Sequence, residues 1–185
     1  SQAILEAGDE SQKKALLPAI AEGQQIVSFA FTEPEYGWGP GSIKMPASRR
    51  NGNYVLNGTK LFIPWAHVAD QILVVARTSE GSSPEQGVSL FLVDKNAKGI
   101  STRLQSGWIG DKVCEVTFDN VEVPSSGVLG PIGEAWPAVE RAMDRGTAVL
   151  CTYMAGGATR VYEMAREYSQ TRIAFGVPIG TFQWV

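Results

Sequence analysis

Ile26-Val27-Ser28-Phe29-Ala30-Phe31-Thr32-Glu33-Pro34 is the stretch whose reading decides the fold. From Ile26 to Phe31 the run is rich in β-branched and aromatic residues and is bounded by Gly23 and Pro34. That pattern predicts a short buried strand ending at a loop. The strand ends on a hydroxyl, a carboxylate and a proline. A rigid polar turn at a strand end is a place where a ligand meets backbone amides and a positioned side chain. Thr32 and Glu33 can equally serve only their own turn, and Glu33 is read as a structural acceptor rather than an acid or base.

Outward from this strand, the signal to Pro124 is β. Asn51-Gly52 and Asn57-Gly58 predict tight turns on either side of a strand at 53–56. Candidate strands follow at 61–65, 72–78, 88–94, 100–104 and 113–123, with a Ser/Gly/Pro surface loop at 81–87. The run 72–76 is apolar on both faces and predicts a central strand, whereas 113–123 alternates and predicts one wet face. Short strands with no helix between them predict an antiparallel barrel or sandwich.

The flanks read as helical. Gly8 to Gly23 predicts a short helix, capped by Asp9 with Gln12 at the third position, with Leu16, Leu17 and Ile20 on its apolar face. Pro18 is expected to bend or end it. Beyond Pro124, Trp136, Val139, Met143, Leu150, Met154, Val161, Ala165 and Tyr168 recur at three- and four-residue steps, predicting a helix from Glu134 to about Ser169. Gly156-Gly157 costs that helix about 1 kcal/mol per glycine relative to Ala. A helix of this length reaches roughly 50 Å and calls for helical neighbours. The stretch 173–181 reads as a loop, and 182–185 begins something cut off. The expected class is α+β: a β-barrel or sandwich flanked by a short N-terminal and a long C-terminal helix, in a fragment of a longer protein.

Composition narrows the function. The chain has 185 residues, a net charge of −3, and 19% charged against 44% hydrophobic residues, a globular balance with no basic run to attract nucleic acid. No apolar run approaches the ~20 residues of a membrane span, and no signal-peptide pattern opens the chain, so a cytoplasmic location is expected. The two cysteines, Cys114 and Cys151, are far apart in sequence and read as reduced and buried. His67 is the sole histidine, which argues against a histidine-rich metal site or a Ser-His triad, and it reads as a loop residue. Trp65, Trp108 and Trp136 read as packing residues.

A second motif lies past the long helix: Arg172-x-x-Phe175-Gly176-x-x-Ile179-x-x-x-Gln183. An arginine and an aromatic three apart can clamp a phosphate and stack on a heterocycle. Alternatively, Arg172 serves the helix carboxyl end and Phe175 the core.

Together with Thr32-Glu33-Pro34, this motif resembles the acyl-CoA dehydrogenase family. Gly8-Asp9-x-x-Gln12-Lys13 through Leu17-Pro18 is similar to the last helix of that family's N-terminal domain. Asn57-Gly58-x-Lys60, Phe62-Ile63, Ala69-Asp70 and Val74-Val75-Ala76-Arg77-Thr78 resemble its β domain. Phe118-x-Asn120-Val121-x-Val123-Pro124 and Leu129-Gly130 resemble the exit into its C-terminal helices. The resemblance implies three parts: residues 1–27 ending an N-terminal helical domain, 28–130 forming the middle β domain, and 131–185 starting a C-terminal helical domain.

It further implies FAD as cofactor and an acyl-CoA substrate desaturated between its α and β carbons. A carboxylate takes the α-proton, a hydride passes to flavin N5, and an electron-transfer acceptor protein reoxidises the enzyme. Phe29, Phe31 and Thr32 line the flavin, Phe62, Ile63 and Pro64 cover its other side, and Trp38 and Asp144 fall at the acyl-CoA. Arg172, Phe175, Phe182 and Gln183 reach the FAD of a neighbouring subunit, implying a homo- or hetero-oligomer, dimer or tetramer. No catalytic base falls within the chain, so the fragment alone is expected to be inactive. The chain departs from the family's Trp-Ile-Thr at Phe62-Ile63-Pro64 and from its Ala-Gly-Ser-Asp at Tyr36-Gly37-Trp38-Gly39. Thr147 and Gly146 stand where the family carries an Arg or, in some members, a catalytic Glu. Those departures leave two alternatives open: a non-catalytic or flavin-poor partner subunit, and a flavin-dependent oxidase or monooxygenase.

Overall fold

The computed structural model describes residues 1–107 and 110–182; Trp108 and Gln183 lie outside the described residues. The chain divides into two compact units, Ser1–Ala142 and Met143–Val185.

The first unit opens with two helices, α1 (Gln2–Ala7) and α2 (Glu10–Ala21). Asp9 caps α2 through the expected capping box: its carboxylate accepts the Gln12 amide at 2.8 Å while Gln12 Oε1 accepts the Asp9 amide at 3.0 Å. The Gln12 amide nitrogen also donates to the carbonyls of Ser126 and Val128, tying the helix to the β core. Pro18 does not end the helix, which runs on to Ala21.

Eight strands follow: β1 (Val27–Ala30), β2 (Ala47–Arg50), β3 (Asn53–Pro64), β4 (Gln71–Arg77), β5 (Val88–Asp94), β6 (Ile100–Ser106), β7 (Lys112–Val123) and β8 (Val128–Leu129). They form two four-stranded sheets, ordered β1-β4-β5-β8 and β2-β3-β7-β6. All pairings are antiparallel except β1 with β4, which run parallel with Val27 opposite Gln71 and Ala30 opposite Val74. That one exception follows from the route: between β1 and β4 the chain crosses into the other sheet to make β2 and β3, which returns it in the same direction. Strand β4 is buried from Ile72 to Ala76, as its unbroken apolar run predicts. The two sheets close on one core that includes Leu56, Ile63, Val74, Phe91, Val116 and Phe118.

Strand β3 overturns one expectation. Asn57-Gly58 is no turn; it lies within a single twelve-residue strand, at a shift in register between Leu56 and Gly58. The extra residue of that shift lies on β7, and Gly58 opposite it has φ +145° with a Cβ that would stand 2.9 Å from Met45 Cγ, so this position needs a glycine. The bulge of β3 itself falls between Lys60 and Ile63, three residues facing two of β7.

Helix α3 (Trp136–Thr171) begins in the first unit, where Trp136, Ala138 and Val139 are buried. From Asp144 to Tyr168, within the second unit, every side chain is exposed, Gly156 and Gly157 interrupt nothing, and Cys151 is exposed rather than buried. The stretch expected as a loop carries a small hairpin, β9 (Ile173–Ala174) with β10 (Val177–Pro178), turning on Phe175-Gly176.

Candidate functional site

The end of β1 is fixed by a buried ion pair. Lys60, with no solvent exposure, donates from Nζ to Glu33 Oε1 at 2.8 Å and to the Phe31 carbonyl at 2.9 Å. Burial pushes the Lys60 ammonium down to about 8, with Glu33 acting in the opposite sense. The Glu33 carboxylate also accepts the amides of Lys44 at 2.9 Å and Met45 at 3.1 Å, so it is the structural acceptor that its turn position predicted. Between Phe31 and Glu33, the Thr32 carbonyl accepts the Leu61 amide at 2.8 Å. The Thr32 hydroxyl, half-buried, makes no hydrogen bond among the described residues.

The bulge of β3 aims the neighbouring wall. Strict alternation would turn Phe62 inward with Lys60; the extra residue reverses the facing, so Ile63 is buried at 1% exposure while Phe62 stands out at 49%. Phe62 adopts φ +55°, Trp65 φ +59° and Tyr36 φ +53°, a left-handed backbone that large side chains rarely take. The Phe62 and Tyr36 rings stack with centroids 6.1 Å apart. Trp65, expected as a packing residue, is instead half-exposed and stacks at 6.0 Å on His67, whose Nδ1 lies 3.7 Å from Cys114 Sγ. Trp136 does pack, against Phe31 at 6.3 Å. Ile26, Phe29, Pro64, Trp65 and Val68 border an apolar hollow of about 290 Å³. Ser28 Oγ closes its floor by donating to the Pro64 carbonyl at 2.8 Å.

Trp38 sits on the tight loop between Glu33 and Met45, 77% exposed. The loop is braced by Gly37, where a Cβ would meet Ser42 Cβ at 2.5 Å, and by Arg77. The Arg77 guanidinium donates to the carbonyls of Ile43 (2.6 Å), Gln86 (2.7 Å), Pro40 (2.8 Å) and Pro84 (3.0 Å).

The structure therefore brings Phe29, Phe31, Thr32, Phe62 and Pro64 together at one end of the sandwich, in the first unit. Ile63 joins them by its backbone alone, its side chain being core. In the second unit, Arg172 follows α3, its amide bonded to the Tyr168 carbonyl at 2.8 Å and its side chain without a hydrogen bond or ion pair among the described residues. Phe175, 97% exposed with φ +53°, meets Phe182 edge-on at 6.2 Å. Asp144 is exposed on α3. Lys60, Arg77 and Tyr36 had no assigned site role from sequence. The parity of β3, which places Lys60 on the same face as Leu56, is the signal that could have exposed the first of them.

The family model for the acyl-CoA dehydrogenase middle domain matches residues 28–121, just over half of the chain. The chain belongs to the acyl-CoA dehydrogenase family. It is 34% identical to an acyl-CoA dehydrogenase of Bacillus subtilis over 98% of its own length and 48% of that protein's. Among solved structures, butyryl-CoA dehydrogenase from Megasphaera elsdenii superposes with a TM-score of 0.90 at 29% identity, covering 98% of this chain and 48% of the other. A glutaryl-CoA dehydrogenase from Mycobacterium smegmatis, in complex with FADH2, superposes with a TM-score of 0.88 at 29% identity, covering 98% and 46%. This acyl-CoA dehydrogenase chain thus spans about half the length of the relatives it matches. The strand-end threonine and the aromatic bulge both lie inside the matched segment.

The donor chemistry of that end fits a flat heteroaromatic group. A hydroxyl without a hydrogen-bond partner among the described residues stands beside half-exposed aromatic and aliphatic walls, on backbone already committed to other bonds.

Proposed function

We propose that this chain is part of an FAD-dependent acyl-CoA dehydrogenase that desaturates an acyl-CoA thioester between its α and β carbons. The observation that carries the reading is Thr32, whose hydroxyl makes no hydrogen bond among the described residues while the Phe31 and Thr32 carbonyls and the Glu33 carboxylate beside it are engaged. The FADH2 complex of the mycobacterial relative supports flavin as the group at this end. Bound FAD supplies the acceptor for the β-carbon hydride.

In this reading the Thr32 hydroxyl bonds the ring edge, Phe29 and Phe31 stiffen the strand behind it, and Phe62 covers one face. Arg172, Phe175, Phe182 and Gln183 contribute to the FAD of a neighbouring subunit, so the working enzyme is an oligomer. Trp38 and Asp144 face the acyl-CoA, and a carboxylate outside this chain takes the α-proton. The two electrons then leave to an acceptor protein, and the enzyme works in the cytoplasm. The parts of the protein divide at residues 27/28 and 130/131.

Pro64 favours a second reading. It offers neither a hydroxyl nor an amide hydrogen, and its carbonyl is already taken by Ser28. A chain that lost a flavin contact there suits a partner subunit beside an active copy. The visible spectrum of the purified full-length protein tests both. A flavin band retained by the protein alone supports the enzyme; a band only in a co-purified complex supports the partner subunit. Arg172→Ala is expected to lower flavin retention, and unchanged flavin content removes Arg172 from the site.

A further inference from the structure

Lys60 faces the sandwich core opposite Val116, at a position where an apolar side chain would fill the same space. A buried ion pair of this kind commonly stabilises a fold no better than well-packed hydrophobic residues do. Its geometry here does something that an apolar side chain cannot. The ammonium holds the residue before Thr32 by its carbonyl and the residue after it by its side chain, at 2.9 and 2.8 Å. The Glu33 carboxylate passes the restraint on to the Lys44 and Met45 amides, at the far end of the loop that carries Tyr36 and Trp38. One cation thereby orders both the strand end and the aromatic loop, leaving the Thr32 hydroxyl free of local partners.

We propose that Lys60, through its buried pair with Glu33, is the positioning residue that aims Thr32 at the flavin and seats the Tyr36–Trp38 loop against the acyl group. The proposal rests on the acyl-CoA dehydrogenase reading and deepens it. Lys60 touches neither cofactor nor substrate; it acts through Thr32 and Glu33.

The test compares wild type, Lys60→Met, Lys60→Met/Glu33→Gln and Glu33→Gln in the full-length protein, stripped of flavin and titrated with FAD. Lys60→Met alone leaves a carboxylate buried and unpaired, so it is expected to lower apoprotein stability; the double variant removes both charges and regains most of it. FAD affinity is expected to follow the geometry instead. It falls about tenfold in the double variant despite the recovered stability, because the Phe31 carbonyl and the Glu33 turn are no longer held. The flavin visible band should lose its resolved shoulder in parallel. A double variant with wild-type stability, wild-type affinity and an unchanged band overturns the proposal. Glu33→Gln leaves the Lys60 ammonium buried without its counter-charge, so it is expected to lower both apoprotein stability and FAD affinity; wild-type FAD affinity in it overturns the proposal. Wild-type protein that takes up no FAD overturns the cofactor reading and the positioning role together, an outcome distinct from equal binding by wild type and variants.

Discussion

Phe62 offers a direct test of whether the bulge of β3 is built for aim rather than for stability. Its φ of +55° places a Cβ-bearing residue in the left-handed region, which costs roughly 1–2 kcal/mol. Glycine carries no such penalty but loses about 0.5–1 kcal/mol in backbone entropy. At this position Phe62→Gly should therefore be more stable than Phe62→Ala by about 0.5–1 kcal/mol, the reverse of the order in an ordinary strand. Both lose the ring, which is half-exposed and stacks on Tyr36 at 6.1 Å, a loss of about 1–2 kcal/mol. The alanine variant accordingly falls about 1–2 kcal/mol below wild type and the glycine variant about 1 kcal/mol or less. Urea denaturation of the apoprotein, followed by tryptophan fluorescence, resolves the difference. FAD binding should weaken in both variants alike, separating the ring's functional value from its backbone cost. An alanine variant as stable as the glycine variant, or more so, would refute the strained bulge.

Arg77→Met removes the donor to four carbonyls at 2.6–3.0 Å and should cost about 2–3 kcal/mol in a thermal melt. Arg77→Lys should recover little of this, because one ammonium cannot span two loops; full recovery by lysine would show that charge alone matters. A pH series tests Lys60. Its folded ammonium lies at about 8 against an ordinary 10.5, so between these values the unfolded chain holds a proton that the folded chain has shed. The Lys60 contribution to stability therefore rises with pH across that window and is lost as pH falls through about 8. Stability of wild type minus that of Lys60→Met should climb from pH 8 to 10.5, and a flat difference would place the ammonium in a wetter site than the structure shows.

The elements whose evidence is local were legible in the sequence. Asp9 and Gln12 announce their cap within four residues, β4 announces its centrality by five apolar residues in a row, and the long helix repeats its stripe through Tyr168. What depended on a partner distant in the chain was not legible. The parallel pairing of β1 with β4 joins residues 44 positions apart, as does the Ile26 amide to the Asp70 carboxylate at 2.8 Å. Asn57-Gly58 misled because one dipeptide serves two geometries. Asn57 Oδ1 accepts the Asn120 amide at 2.8 Å, which binds β3 to the bulge of β7 where a free hairpin would leave that group to solvent. The same mechanism governed the site. The bulge of β3 between Lys60 and Ile63 resets which face each residue presents, so period-two counting from Leu56 finds Lys60 correctly and then misplaces Phe62 and Ile63. Motif order alone set Phe62, Ile63 and Pro64 side by side as one covering surface. The bulge separates them into an exposed ring, a core side chain and a proline whose carbonyl is spent on Ser28. A strand that must both close a core and present a ring at its end cannot keep a single alternation, and the left-handed residue at Phe62 is where the two requirements meet.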